Sequence, residues 1–192
     1  MGRWEPNARG RLQKAALELY AERGFDATTV AEIAARAGLT ERTFFRHFAD
    51  KREVLFGGSQ AMEEHLVKAT VSALAQEPGP GPVEAITAAL AEMADELFVG
   101  EHRSLARHRH AVITAHPELR ERELIKMASL AAAVAGALRE HGISEPGASL
   151  AAEAGTAIFK VAFERWVSAP GDRPLSAFIH ETAATLKSVT GS

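Results

Sequence analysis

The stretch TTVAEIAARAGLTERTFFRHFADK, Thr28 to Lys51, decides how the rest of the chain is read. Within it, Thr29-Val-Ala-Glu32 is a capping box, in which the threonine oxygen accepts from the backbone N–H of Glu32 and the Glu32 side chain reaches back. Val30, Ile33, Ala34 and Ala37 then fall at i, i+3, i+4 and i+7, which predicts a short helix with a narrow apolar face. Gly38 is the residue best able to take the left-handed conformation that ends such a helix. Thr40 offers the next N-cap. The second helix ends near Phe48, and Asp50-Lys-Arg-Glu53 reads as another capping box opening a further helix. Two short helices joined by a tight glycine turn form a helix-turn-helix, whose second helix enters the DNA major groove.

At about 100° per residue, Phe44 and Phe48 share one face of that second helix, with Leu39 beneath them, and this face is predicted core. Arg42 and Arg46 are four apart and lie roughly opposite, flanked by Thr43 and Phe45. Stacked arginines suit a major groove, where a guanidinium bonds guanine O6 and N7 together. Exposed arginines are also common as a plain solvated face, but the caps, the glycine turn and the helix spacing favour the groove. The candidate DNA-binding residues are Thr29, Thr40, Arg42, Thr43, Phe45, Arg46, His47 and Lys51.

Residues Arg9 to Leu55, about the first third of the chain, resemble the N-terminal DNA-binding domain of TetR-family transcriptional regulators. The resemblance is carried by Ala15-Ala16, the run Ala21-Glu-Arg-Gly-Phe25, Thr28-Thr29-Val30, Ile33-Ala34, Ala37-Gly38-Leu39-Thr40, Thr43-Phe44-Phe45-Arg46-His47-Phe48 and Lys51. It implies a two-domain, all-α homodimer that binds double-stranded DNA and is released by a small molecule, most often as a repressor. Two positions depart from the family pattern. The aromatic at Phe45 is usually a tyrosine whose hydroxyl contacts a phosphate; phenylalanine leaves only apolar contact, with a sugar or a thymine methyl. Arg42 stands where relatives often carry a small residue, which suggests an added base contact.

Composition fits an ordinary soluble globular protein, with 46% hydrophobic and 24% charged residues among 192. The absence of cysteine excludes disulfide scaffolds, cysteine-ligated zinc and thiol catalysis, and accords with a cytoplasmic setting. The start, MGRWEPNARG, has no apolar run and is not a secretory signal. Met127 to Leu138 is too short to span a bilayer, so no membrane association is expected. The formal charge of −3 divides unevenly: residues 1–56 hold ten Lys/Arg and eight Asp/Glu, whereas 57–192 hold twelve and seventeen. An excess of two cations is small, so a DNA footprint must come from their placement, with Arg9, Arg11, Arg42, Arg46, His47 and Lys51 the candidates for one side.

Periodicity predicts about nine helices and no strand. Met1 to Ala8 reads as an arm, whose Arg3, with Arg9 and Arg11, either reaches phosphates or is incidental. A first helix runs from about Ala8 to Arg23. The helix opened at Asp50 is expected to reach about Ala75, with Gly57-Gly58 as a weak point that is either a flexible joint or a close-packing site. After the break at Glu77-Pro-Gly-Pro-Gly-Pro82, Pro82 opens a helix that Gly100 ends, and a segment over 101–116 comes next. Pro117 begins a long helix to about His141, and two more cover roughly Ala148–Ser168 and Leu175–Val189. The expected domains are 1–56, binding DNA, and 57–192, binding ligand and dimerising.

Four histidines between His102 and His116 invite a metal reading, but His108 and His110 are two apart and diverge on a helix. No HExxH, GxSxG or phosphate-binding glycine loop is present, so neither a cofactor nor an enzyme is expected. An apolar ligand pocket is expected from Met62, Leu66, Met93, Leu97, Ile113 and Met127, with Leu90, Phe98 and Leu130 adding to it, most of which also suit plain core. Arg103, Arg107 and Arg109 form a cationic cluster able to hold an acidic head group, or simply a solvated one. Ile113-Thr-Ala-His-Pro-Glu-Leu-Arg120 resembles a segment of TetR regulators that sense acyl-CoA-like ligands, so an anionic, apolar inducer is the candidate. Ile158, Ala162, Trp166, Phe178 and Thr182 are the candidate dimer interface, since the last two helices carry more apolar surface than one intramolecular partner needs.

Overall fold

The computed structural model describes residues 7–76, 78–98 and 102–191. Most of the expected arm with Arg3, the break residue Glu77 and the helix end at Gly100 lie outside them. Among the described residues there are nine α-helices, one 3₁₀ turn and no strand. The helices are α1 (Ala8–Arg23), α2 (Val30–Arg36), α3 (Glu41–His47), α4 (Ser59–Leu74), α5 (Pro82–Leu97), α6 (His102–Ala115), α7 (Pro117–Glu140), α8 (Gly147–Ser168) and α9 (Leu175–Val189).

The chain forms two compact units, and no single cut separates them. One holds the residues up to Ser59 together with Arg107–Glu123; the other holds Gln60–Ala106 and Leu124–Ser192. The expected boundary at 56/57 follows chain order, whereas residues 107–123 pack with the first unit. The reason is packing: Ile113 and Leu119, both at 0% exposure, complete an apolar core with Leu12, Leu19, Phe25, Ile33, Phe44 and Phe56. Arg109 adds a polar tie, donating through Nε to the Leu55 carbonyl at 2.7 Å and through Nη1 to Glu123 at 3.1 Å. Burial pushes the Arg109 guanidinium pKa down, and the Glu123 carboxylate opposes that shift. Arg122 pairs with Glu53 in the same unit.

The helix expected from Asp50 to Ala75 is interrupted. Asp50 does cap, accepting from the backbone N–H of Arg52 at 2.8 Å and of Glu53 at 3.1 Å. This cap opens only the 3₁₀ turn Glu53–Phe56, and α4 starts afresh at Ser59. Gly58 lies at φ 99°, a conformation L side chains rarely adopt, which is why the chain breaks there. Gly57 is pinned to α1, its carbonyl accepting from Gln13 Nε2 at 2.6 Å.

In the second unit α5, α8 and α9 pack on one another around Ile86, Leu90, Ile158, Trp166 and Ile179. Gly155 sets the spacing of α5 and α8, because a Cβ there would lie 2.4 Å from Ile86 Cγ2.

Candidate nucleic-acid interface

The helix-turn-helix is held from three directions. The capping box of α2 is complete: Thr29 Oγ1 accepts from Glu32 N–H at 3.2 Å, and Glu32 Oε2 accepts from Thr29 N–H at 2.9 Å. At its other end Gly38 takes φ 67°, and the Leu39 N–H reaches back to the Ala34 carbonyl at 2.8 Å. Thr40 then caps α3, accepting from Thr43 N–H at 3.2 Å, with the two threonine hydroxyls 3.1 Å apart. Arg36 clasps Glu22 with bonds of 2.9 and 2.7 Å, and Arg23 meets Glu32 at 2.7 Å, tying α1 to α2. The Arg36 hydrogen bond holds the Glu22 carboxyl below its ordinary value; the Thr29 N–H and hydroxyl do the same for Glu32.

Phe44 at 0% and Phe48 at 4% exposure root α3 in the core, with ring centroids 5.6 Å apart. This turns Arg42, Phe45 and Arg46 outward; Phe45 is 55% exposed, its ring edge-on to Phe44 at 5.5 Å. Thr43 and His47 are half-buried, and the His47 Nε2 atom is itself buried without a hydrogen-bond partner among the described residues.

The cations sort into two groups. Arg23, Arg36 and Arg52 face carboxylates, and Arg11 donates to the Ala37 carbonyl at the end of α2. Arg9 lies over the Phe48 ring at 5.1 Å. Lys51 corrects an expectation. Its ammonium donates to the carbonyls of Phe25 at 2.8 Å, Asp26 at 3.2 Å and Thr28 at 2.9 Å, and sits 4.5 Å from the Phe25 ring centroid. It is a clamp on the loop before α2 and is not offered to a phosphate. The Tyr20 hydroxyl completes the clamp, donating to the Lys51 carbonyl at 2.7 Å. Burial first, and the Asp50 charge second, raise the Tyr20 pKa well above the ordinary phenol range. Arg42 and Arg46, by contrast, have no ion pair or hydrogen bond among the described residues.

Residues 12–56 match the profile of the bacterial regulatory proteins, tetR family, and residues 80–191, more than half of the chain, match the MftR C-terminal domain. The chain belongs to the TetR family. The transcriptional regulator TcmR of Streptomyces glaucescens is 37% identical over 94 residues, covering 48% of this chain and 40% of that protein, so this chain spans less than half of that relative. A TetR-family regulator from Syntrophomonas wolfei superposes with a TM-score of 0.68 at 15% identity, covering 97% and 96% of the two chains. Thermus thermophilus FadR, a TetR-family repressor solved with lauroyl-CoA, superposes with a TM-score of 0.56 at 24% identity, covering 93% and 92%. These likenesses show the fold, and the family is one of transcriptional regulators, not enzymes.

In the second unit only part of the expected pocket lining meets at a cavity. A void of about 10 Å³, about the size of one water, is lined by Leu66, Ile86, Leu90, Leu130, Val134 and Phe159, with Ala152, Gly155 and Thr156. Of the expected residues only Leu66 is on its wall, joined by Leu90 and Leu130. Met93 is buried in the surrounding core, and Met62 and Met127 are half-buried. Leu97 is 42% exposed, and Ile113 belongs to the core of the other unit, so neither lines it. Sequence periodicity gives each helix an inner face without naming which unit that face meets.

The arginines of the expected cluster have separate roles. Arg103 donates to the Trp166 and Ala169 carbonyls at 2.8 Å and to that of Gly171, and lies 5.1 Å from the Trp166 ring, so it caps the end of α8. Arg109 is committed to Leu55 and Glu123, and Arg107 is exposed. The described residues hold no His/Asp/Glu group suited to a metal and no helix long and apolar enough to cross a membrane.

The expected dimer residues are also corrected. Ile158, Ala162 and Trp166 are at most 1% exposed, Phe178 is 4% and Thr182 8%, all inside one chain. The apolar surplus is absorbed by α5 and by an aromatic cluster in which Phe98 and Phe163 lie 5.6 and 5.8 Å from Trp166. The outward faces of α8 and α9 instead carry Ala157, Val161, Ala184 and Thr185.

Proposed function

We propose that this TetR-family chain is a ligand-responsive transcriptional regulator, acting as a homodimeric repressor on a palindromic operator. The observation that carries the reading is the pair Arg42 and Arg46: exposed on α3 and without an ion pair or hydrogen bond among the described residues, beside other cations that the fold itself uses. A two-fold dimer places two such helices on one face of the duplex, about 34–36 Å apart or a multiple of that. The small residues facing outward on α8 and α9 allow close approach of a second copy, and Val161 at 46% exposure is their largest apolar member. Val161→Glu is expected to give monomers by sedimentation and to abolish operator binding; a dimer that survives it sinks this choice of face.

A small molecule that opens the apolar space beside Leu66 and Phe159, closed here to about 10 Å³, would shift the population of conformers and weaken binding. Lauroyl-CoA in the FadR complex makes acyl-CoA-like molecules the first class to screen. The deciding experiment is selection of bound duplexes from a random pool. A palindrome recovered by wild type, and degraded but still bound with Arg42→Ala or Arg46→Ala, supports operator readout. Recovery of no sequence at low salt, where phosphate contacts are tightest, would favour a helical small-molecule-binding or enzymatic bundle that no longer binds DNA.

A further inference from the structure

Resting on the operator reading, we propose which base edges α3 reads. Arg42 and Arg46 each pair with a guanine, on base pairs about two steps apart, and the Phe45 ring meets the methyl of a thymine flanking that pair. The arginines come first because nothing in the described fold occupies their guanidinium groups, whereas Arg11, Arg23, Arg36 and Arg52 are all engaged. A forked cation needs two acceptors on one edge, and only guanine offers O6 and N7 together in the major groove; adenine sets a donor beside N7. Residues four apart on a helix are displaced by about 6 Å along its axis, and base pairs stack about 3.4 Å apart. That ratio gives the two-step spacing.

Phe45 has no donor for a phosphate, yet its ring is 55% exposed and held edge-on by the buried Phe44. Such a ring gains only from apolar surface, and the apolar feature of a major-groove edge is the thymine methyl. Phe45 lies about 60° around the helix from Arg42 and about 100° from Arg46, both to the same side. The methyl projects toward its own strand's backbone, so a flanking thymine is where ring and methyl coincide.

The test uses the full chain and the selected operator, with fluorescence anisotropy on singly substituted duplexes. Replacing either guanine by 7-deazaguanine removes N7 and is expected to weaken binding roughly 5- to 100-fold. The penalty at one guanine should vanish in Arg42→Ala and that at the other in Arg46→Ala. Both variants should melt with wild type, since neither side chain has an ion pair or hydrogen bond among the described residues. Arg46→Lys, which keeps the charge and loses the planar fork, should retain the salt dependence and keep a guanine preference, with weaker binding than wild type. Uracil in place of the flanking thymine should cost about fourfold, and nothing in Phe45→Ala. An operator lacking guanines at this spacing, or deaza penalties that persist in both arginine variants, overturns the inference and leaves operator binding standing. Uracil that is neutral at every thymine places Phe45 on a sugar and overturns that part. Failure to select any sequence removes the operator reading itself, and this inference with it.

Discussion

Lys51 and Arg42 are nine residues apart and carry the same charge, yet the fold treats them oppositely. Lys51 spreads its ammonium over three backbone carbonyls, and hydrogen bonds to a charged group contribute about 1.5–3 kcal/mol. Lys51→Met is therefore expected to lower stability to urea by about 2–3 kcal/mol, with operator affinity falling only as folded protein is lost. Unchanged stability with a shallower salt dependence would return Lys51 to the phosphate-binding set. This distinction is not legible in the sequence, because the accepting carbonyls lie 23 to 26 residues earlier. The outward aim of Arg42, Phe45 and Arg46 is legible, since Phe44 and Phe48 fix the helix by simple periodicity. Arg11 escapes a sequence reading for the same reason as Lys51: its partner is the end of another helix.

Among elements, the starts and stops of α1, α2, α3, α7 and α9 obey caps and breakers that short sequence windows contain. The helix expected through Gly57-Gly58 does not, because a pair of glycines reads equally as a weak point or as a break. The positive φ of Gly58 decides it. Gly58→Ala is expected to destabilise the protein by about 1–2 kcal/mol, although a Cβ there meets open space. A variant as stable as wild type would mean that the chain between Phe56 and Ser59 relaxes freely. The α1–α2 clasps give a pH signature. Glu22 and Glu32 have folded pKa values below the ordinary carboxylate value, so their contribution is full above that value and is lost as pH falls through the lowered ones. Melting temperatures should hold from neutral pH down to the carboxylate range and then fall, with Arg36→Gln flattening part of the acid loss. An identical acid profile in that variant would remove the Arg36–Glu22 pair as the source.

For the whole molecule, the decisive feature is that a DNA-binding unit beginning at one end of the chain is completed by residues 107–123. A fragment of residues 1–59 is expected to stay partly unfolded, lacking Ile113 and Leu119 from its core, with broad melting by circular dichroism. Cooperative unfolding of that fragment would show the later segment to be dispensable. No reading along the chain marks this completion; it is visible only once helices have partners. The use of so many cations in holding this unit together has a consequence for how the protein is shared across a genome. Ordinary chromosomal DNA offers roughly a million to a billion rival sites, and capture by them strengthens with every cation free to displace a counterion. With Arg11, Arg23, Arg36, Arg52 and Lys51 engaged inward or with neighbours, fewer cations remain to displace counterions, so binding to DNA of random sequence is expected to be weak and to show a shallow salt dependence.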